Sequence, residues 1–380
     1  MIWFILSAVF LGILVLYQAG LLILGWLFLE DRPDEKTAPA EAATIIVAMR
    51  NEAPDAATAA ALRERMQRVI EQAYPHFEVI FVNDRSTDQT REILQTFATD
   101  HPHVFVQHIK QTPTNVSPKK WALRQGIENA RTDILAFTDA DCRPHRFWLE
   151  HLTRPLRHGK AIALGYSPPK NTRSLLNIFE RFETFGTAFL YMGLARIGLP
   201  YMGVGRNIAW RKSLLDEPPF ESHLHVLSGD DDLFINQYAT DRNTGIVVKR
   251  HSQVETTSET SWLRWLRRKM RHVSASRHYR LRNKLIVGLH GLALSGAYGF
   301  SLATLLLFDF NQGAFMLIFT GTLRTLSMLP AAIKLKISYL FSFLVILDVI
   351  FMIYSLLIVP LGWLLKPVWQ TKNINPRNAP

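Results

Sequence analysis

Only one cysteine, Cys142, occurs in 380 residues, so no disulfide can form within the chain, which fits a reducing, cytosol-facing domain. Charge is missing altogether from Ile2 to Leu29. As a helix rising roughly 1.5 Å per residue, this run of about 28 residues would reach about 42 Å, more than the bilayer core of about 30 Å requires. The basic n-region, shorter apolar core and small-residue cleavage site of a signal peptide are not evident, so residues 1–29 are expected to be a retained anchor. Acidic residues are in deficit, 32 against 43 Lys and Arg, giving a net charge of +11. Such an excess suits nucleic acid or an anionic membrane surface, and its placement decides between them. Arg264, Arg267, Arg268, Lys269, Arg271, Arg277, Arg280, Arg282 and Lys284 stand directly before the next apolar run, where a cytoplasmic membrane surface would draw them. Nucleic acid is therefore not expected as a partner. Internal repeats and low-complexity tracts are also lacking.

What is present is 48% hydrophobic residues, enough for one sizeable core and a surplus of over a hundred residues. After the anchor, residues 30–41 are rich in charge, Pro and Ala and read as a linker. Short apolar, β-branched runs at Ala43 to Met49, Glu78 to Val82 and Ile134 to Thr138 read as strands. Helical patterns at Ala57 to Gln72, Thr90 to Thr99 and Lys119 to Asn129 alternate with them, which predicts an α/β domain over residues 42–260 built on a parallel sheet. Ligands of such sheets bind beyond the carboxyl ends of the strands, where all three runs pass into polar loops. The apolar, aromatic stretch from Ser174 to Gly205 fits a core helix or one lying against the membrane beside the site. Residues 261–284 are expected to form one basic amphipathic interfacial helix. A membrane region over residues 285–366 follows, with candidate spans at Leu285 to Leu307, Ala314 to Leu329 (marginal, at about 16 residues) and Tyr339 to Leu365, and then a polar tail, 367–380.

Asp139 and Asp141, in Phe137-Thr138-Asp139-Ala140-Asp141-Cys142, leave the third strand one residue apart, and alternate residues of an extended segment share a face. Two hard oxygen ligands so placed suit Mg²⁺ or Mn²⁺, which keeps positions open for diphosphate oxygens. Alone, such a pair is a weak signal, equally at home in a solvated acidic loop. Its company is what matters: Val47-Ala48-Met49-Arg50-Asn51-Glu52 ends the first strand, and Val82-Asn83-Asp84-Arg85-Ser86-Thr87-Asp88 ends the second.

In this order, from about Ala42 to His272, these segments resemble the successive motifs of the family 2 glycosyltransferases, which have a GT-A fold. The resemblance implies that Asp84 holds the nucleotide base, with Arg50 and Glu52 lining the nucleoside pocket. For Asp84, capping of the following helix is the structural alternative, although Asp88 is better placed for it. Lys119, in Ser117-Pro118-Lys119-Lys120-Trp121-Ala122-Leu123, is similar to the family's lysine near the nucleotide-sugar, which Asp139 also contacts. Gly205 and Asn207, in Gly205-Arg206-Asn207-Ile208-Ala209-Trp210-Arg211, resemble the stretch that borders acceptor and donor sugar. Gly229-Asp230-Asp231-Asp232-Leu233 resembles the loop presenting the catalytic base: spacing to Leu233 favours Asp230, and spacing from the glycine favours Asp231. The sequence departs from the family at Arg268-Lys269-Met270-Arg271-His272, where processive members carry Gln-x-x-Arg-Trp and only Arg271 is retained. Arg268 and Arg271 are then expected at the leaving diphosphate.

The expectation is an enzyme of the cell membrane, with several spans and a cytoplasmic catalytic domain. It would use a divalent cation and transfer a single sugar from a nucleotide-diphosphate sugar, UDP-linked by preference, to a lipid-type acceptor with inversion. A processive polysaccharide synthase and a catalytically inactive nucleotide-sugar-binding scaffold are the alternatives.

Overall fold

The computed structural model describes residues 2–28 and 39–365. Most of the expected linker and the whole of the polar tail lie outside the described residues. Helix α1 (Ile2–Leu27) precedes a domain built from β1 (Ala43–Met49), α2 (Ala56–Ile70), β2 (Phe77–Asp84), α3 (Thr90–Asp100), β3 (Val104–Ile109), α4 (Pro118–Asn129) and β4 (Ile134–Phe137). It continues through β5 (Cys142–Arg143), α5 (Trp148–Arg157), β6 (Ile162–Gly165), α6 (Leu175–Arg196), β7 (Ile208–Arg211), α7 (Asp232–Tyr238), β8 (Thr244–Val247) and β9 (Glu255–Thr256). Helices α8 (Trp262–Ala275), α9 (Leu281–Leu307), α10 (Phe310–Lys334) and α11 (Leu344–Leu364) follow.

Seven strands form one sheet in the order β3-β2-β1-β4-β7-β6-β8, and β5 pairs with β9 in a small ribbon. Strand β1 is buried along almost its whole length, as a central strand covered on both faces must be. Its alternation sorts side chains between two cores: Ile45 and Val47 pack with Leu62, Met66, Phe81 and Trp148, while Ile46 packs with Ile80, Val82, Ile127 and Phe185. The second core continues without a break into Leu24, Phe28, Met328 and Leu344 of the apolar helices.

The sheet is mixed rather than parallel, because β7 runs antiparallel to both β4 and β6. Ile208 opposes Phe137, so the chain enters β7 at the edge where β4 leaves. That reversal is what brings the segment around Gly205 beside Asp139. Parallel pairing of β1 with β2 sets Met49 opposite Asn83, so the loops after these two strands emerge side by side at the same edge.

Helix α6 is a core helix that also meets the apolar helices. Gly193 lies so close to α1 that an added Cβ would stand 3.2 Å from Leu24 Cβ, and Phe189 stacks on Phe28 at 5.9 Å. Four helices among the described residues are long and apolar enough to cross a membrane: Val9–Leu27, Leu281–Leu307, Phe310–Lys334 and Ser338–Leu364. The second of the three C-terminal segments is longer than expected, because the helix starts earlier, at its Asp309 cap, and runs past Pro330 to Lys334; Arg324 within it is neutralised by Asp348 in α11 at 2.6 Å. The single basic helix expected over 261–284 is two helices instead. Between them, Tyr279 donates its hydroxyl to Asp232 at 2.8 Å and the Arg280 N–H donates to Asn236 at 2.9 Å, which fixes the chain against α7 and turns it into α9.

Candidate active site

The loops after β1 and β2 are laced together before they meet any ligand. Asn51, in the left-handed region at φ 52°, accepts from the Thr87 N–H at 2.9 Å, and its own N–H donates to Ser86 Oγ at 3.0 Å. The Glu52 N–H donates to Thr90 Oγ1 at 2.9 Å. Asp88 accepts from the N–H groups of Ala53 at 2.8 Å and Thr90 at 3.0 Å, so it ties one loop to the other while serving the start of α3. Asp84 caps no helix: it is nearly buried and accepts from Arg85 Nε at 2.7 Å.

Beyond these loops lies a cavity of about 1260 Å³, and Glu52, Lys119, Asp139, Asp141, Gly205, Asp230, Asp231, Arg268 and Arg271 all line it. Arg50 and Asp84, expected in the nucleoside pocket, stand outside its lining. Lys119 Nζ bridges Asp230 Oδ2 at 2.9 Å and Asp139 Oδ1 at 3.2 Å, joining the loops after β4 and before α7. Burial works against the Lys119 ammonium, but Asp139, Asp230 and Asp231 outweigh it and hold its pKa above the ordinary lysine value. Burial raises the Asp230 carboxyl, and Lys119 more than reverses this, so Asp230 stays ionised. The adjacent Lys120 turns the other way into the protein, where its ammonium is wholly buried and meets the Nδ1 of His223 at 2.9 Å and its carbonyl at 2.8 Å.

The three consecutive aspartates have three different surroundings. Gly229, at φ 78°, makes the turn ahead of them in a region that favours glycine. Asp230 faces Lys119. Asp231 accepts from the N–H groups of Gly205 at 2.6 Å and Asp232 at 2.8 Å, so both its oxygens hold backbone. Asp232 is buried against Tyr279, and burial followed by the charge of Asp231 pushes its carboxyl well above the usual range. Of the two residues weighed as the base, Asp230 presents its carboxylate to the Lys119 ammonium, whereas Asp231 spends both oxygens on backbone N–H groups. Gly205 is where backbone must approach closely, since a Cβ there would stand 3.3 Å from both Asp230 Oδ2 and Asp231.

Asn207 corrects the reading made from sequence. It is completely buried, accepts from Trp148 Nε1 at 2.9 Å and donates both amide hydrogens, to the carbonyls of Tyr166 at 2.7 Å and Ser252 at 2.8 Å, so it has no donor left and no exposed atom for a sugar. Arg268 is likewise committed, to the buried Glu180 of α6 and to Glu259 at 3.5 Å. Lys269 pairs with Glu183 of the same helix. Arg271 has different neighbours: burial lowers its pKa, and Asp230, Asp139 and Asp231 are the anions that act on it.

Two arginines escaped the sequence reading. Arg65 of α2 is buried on an otherwise apolar face beside Leu62, Met66 and Val69, and its Nε supports the carbonyl of Ala140, between Asp139 and Asp141, at 2.6 Å. A lone charge on an apolar stripe was the available signal. Arg206 is held to Ser167 Oγ at 2.8 Å within electrostatic reach of Asp139 and Asp141.

A resident divalent cation fits this edge. Asp139 is a third exposed and Asp141 lines the same cavity, with Oδ2 accepting from Thr256 at 3.1 Å. No group of three or more His, Cys, Asp or Glu suited to a metal occurs among the described residues, so protein alone would not complete the coordination. Magnesium-type ions bound through one or two carboxylates and substrate phosphates need no third ligand.

Fold and edge together define a GT-A domain, and residues 44–214 match the model of the family described as glycosyl transferase family 2. The chain is similar to glycosyltransferase AglE of Haloferax volcanii, 32% identical over 200 residues, which cover 50% of this chain and 58% of AglE. Similarity to glycosyltransferase YibD of Escherichia coli is 37% over 79 residues, covering 21% of this chain and 22% of that protein. The chain thus spans little more than half the length of the curated relatives it matches, or less. Among solved structures, the mannosyltransferase PcManGT of Pyrobaculum calidifontis, in complex with GDP-mannose and Mn²⁺, superimposes with a TM-score of 0.55 at 17% identity, covering 92% of this chain and 99% of that one. At that identity it speaks for the fold.

Proposed function

We propose that this chain transfers one sugar from a nucleotide-diphosphate sugar to a lipid acceptor, with inversion at the anomeric carbon. One observation carries the reading. The cavity that holds Lys119, Asp139 and Asp230 is continuous with space lined by Leu294 of α9, Met328 of α10, and Phe351, Tyr354 and Val359 of α11. Its volume of about 1260 Å³ exceeds the roughly 300–1,000 Å³ of ordinary small-molecule sites, which leaves room for a second, apolar substrate.

In this reading Asp230, kept ionised by Lys119, takes the proton of the acceptor hydroxyl as that oxygen bonds to the anomeric carbon. The bond from this carbon to the diphosphate oxygen breaks on the opposite face, and Arg271 and Lys119 face the charge that develops there. Asp139 and Asp141 would hold a divalent cation, whose chemistry is to neutralise diphosphate oxygens. Asp84 and Glu52 remain the candidates for base and ribose contact, Asp84 after a shift of its Arg85 partner. Arg268, tied to Glu180, and His272 stand where processive members carry Gln and Trp, which favours a single transfer.

The test uses full-length protein in nanodiscs made from a total lipid extract, supplied with Mn²⁺ and radiolabelled UDP-sugars or GDP-mannose in turn. Label is expected in one organic-soluble product of discrete size, dependent on the cation and removed by chelation. A ladder of polymer, or label on soluble sugars alone, would overturn the reading.

A further inference from the structure

At the far end of the same cavity, an ionic group sits among apolar helices. Arg324 is 3% exposed and lines the cavity. Its Nε donates to Asp348 Oδ2 at 2.6 Å, and Tyr298 donates to that same oxygen at 2.8 Å. The pair is joined through one bond only. Arg324 Nη1 and Asp348 Oδ1 are both buried without a hydrogen-bond partner. Nearby on the cavity wall, His290 meets the hydroxyl of Tyr17 at 3.1 Å, and that hydroxyl also interacts with the Arg324 guanidinium without satisfying Nη1. Ionisable side chains inside apolar helix bundles are costly to keep, and an unmet guanidinium N–H adds to that cost.

We propose that Arg324 Nη1 is a binding seat for the carbonyl oxygen of an acyl ester or amide in the bound lipid, so that the cavity selects a carbonyl-bearing lipid over a plain hydrocarbon chain. The proposal rests on the reading that this cavity takes a lipid. Three features fix the chemistry. The missing partner of Arg324 is an acceptor, which a polyprenyl chain does not offer. The neighbouring Asp348 carboxylate neutralises the guanidinium and leaves an oxygen of its own unmet, which disfavours a phosphate and suits a neutral carbonyl. Apart from His290, Ser295 and Ser355, the helices contribute mostly apolar side chains to this cavity, among them Leu292, Leu294, Met328 and Ile358, as acyl chains on either side of such a carbonyl require.

The experiment compares binding of 1,2-dioleoylglycerol with that of its diether analogue, which keeps the hydroxyl and chains but has no carbonyls, to the full-length protein by native mass spectrometry. The ester is expected to bind on the order of tenfold more tightly, the scale of one hydrogen bond to a charged donor. Arg324→Met leaves Asp348 buried and unpaired and can unfold the helices, so Arg324→Met with Asp348→Asn is the variant to use. It keeps an acceptor for Tyr298, and is expected to melt as a folded protein and to bind ester and ether alike. Asp139→Asn, which disables transfer in the proposed mechanism, is expected to keep the preference, so the seat is tested whether or not sugar transfer to lipid is correct. Equal binding of ester and ether by the unaltered protein, binding of neither, tighter binding of a polyprenyl phosphate, or a preference that survives the double variant would each overturn the proposal.

Discussion

The sheet edge and the helical layer beside it both carry many charges, but they dispose of them differently. At the edge, Asp139, Asp230 and Lys119 share their charges within the cavity, and the lysine is held by two carboxylates. In the layer of α6 and α8, charges are cancelled pairwise, Arg268 against Glu180 and Lys269 against Glu183. The contrast separates residues available for chemistry from residues that hold the layers together, even where both line one cavity.

Asp230→Asn tests this separation most severely. Removing the proposed base is expected to lower transfer by roughly 10²–10⁴-fold with little change in melting temperature. Asp231→Asn should instead lower the melting temperature, because its oxygens hold the Gly205 and Asp232 N–H groups. If the kinetic and thermal effects fell the other way round, the base would be Asp231. Next in size is Arg271→Met, expected to cost transfer about 10²-fold at the leaving-group step, read as a fall in kcat. Arg268→Met draws the line between edge and layer. It leaves the buried Glu180 short of its cation, so the expected loss is about 2–3 kcal/mol of stability, seen by thermal denaturation, with kcat reduced far less than in Arg271→Met.

The same contrast explains what could be read in the chain and what could not. Strand ends and their loops were legible, because a short apolar, β-branched run and the polar turn after it are local in sequence, and Arg50, Asp84 and Asp139 each stand at the end of such a strand. The direction of β7 was not legible, since antiparallel entry depends on where α6 delivers the chain. Nor was the committed state of Asn207, whose partners Trp148 and Ser252 are 59 and 45 positions away. Arg268 looked like a diphosphate ligand because Glu180, 88 positions earlier, is a helix-face residue with nothing local to mark it. Sequence alone also could not separate Lys119 from Lys120.

That last pair supplies the smallest effect and the sharpest test of environment. One position apart on α4, Lys119 has its pKa raised by carboxylates, whereas burial lowers that of Lys120 to about 8. The sign follows from linkage. Between about pH 8 and the ordinary lysine value of about 10.4, the unfolded chain binds a proton at Lys120 that the folded protein has released, so stability contributed at this site rises with pH. Below about pH 8 the cost of burying the charged ammonium is present in full; above about pH 10.4 it is gone. His223, which receives Lys120, is lowered to about 3 by burial and by that ammonium, so it stays neutral throughout this window and adds no slope of its own. Melting temperatures measured from pH 7 to 10 are therefore expected to fall less steeply for the unaltered protein than for Lys120→Met. The variant has no proton to release at this position, and its curve shows only the other groups that titrate in alkali. Parallel curves would mean that Lys120 keeps an ordinary pKa through its contacts with His223, and that the two lysines differ in position but not in electrostatic environment.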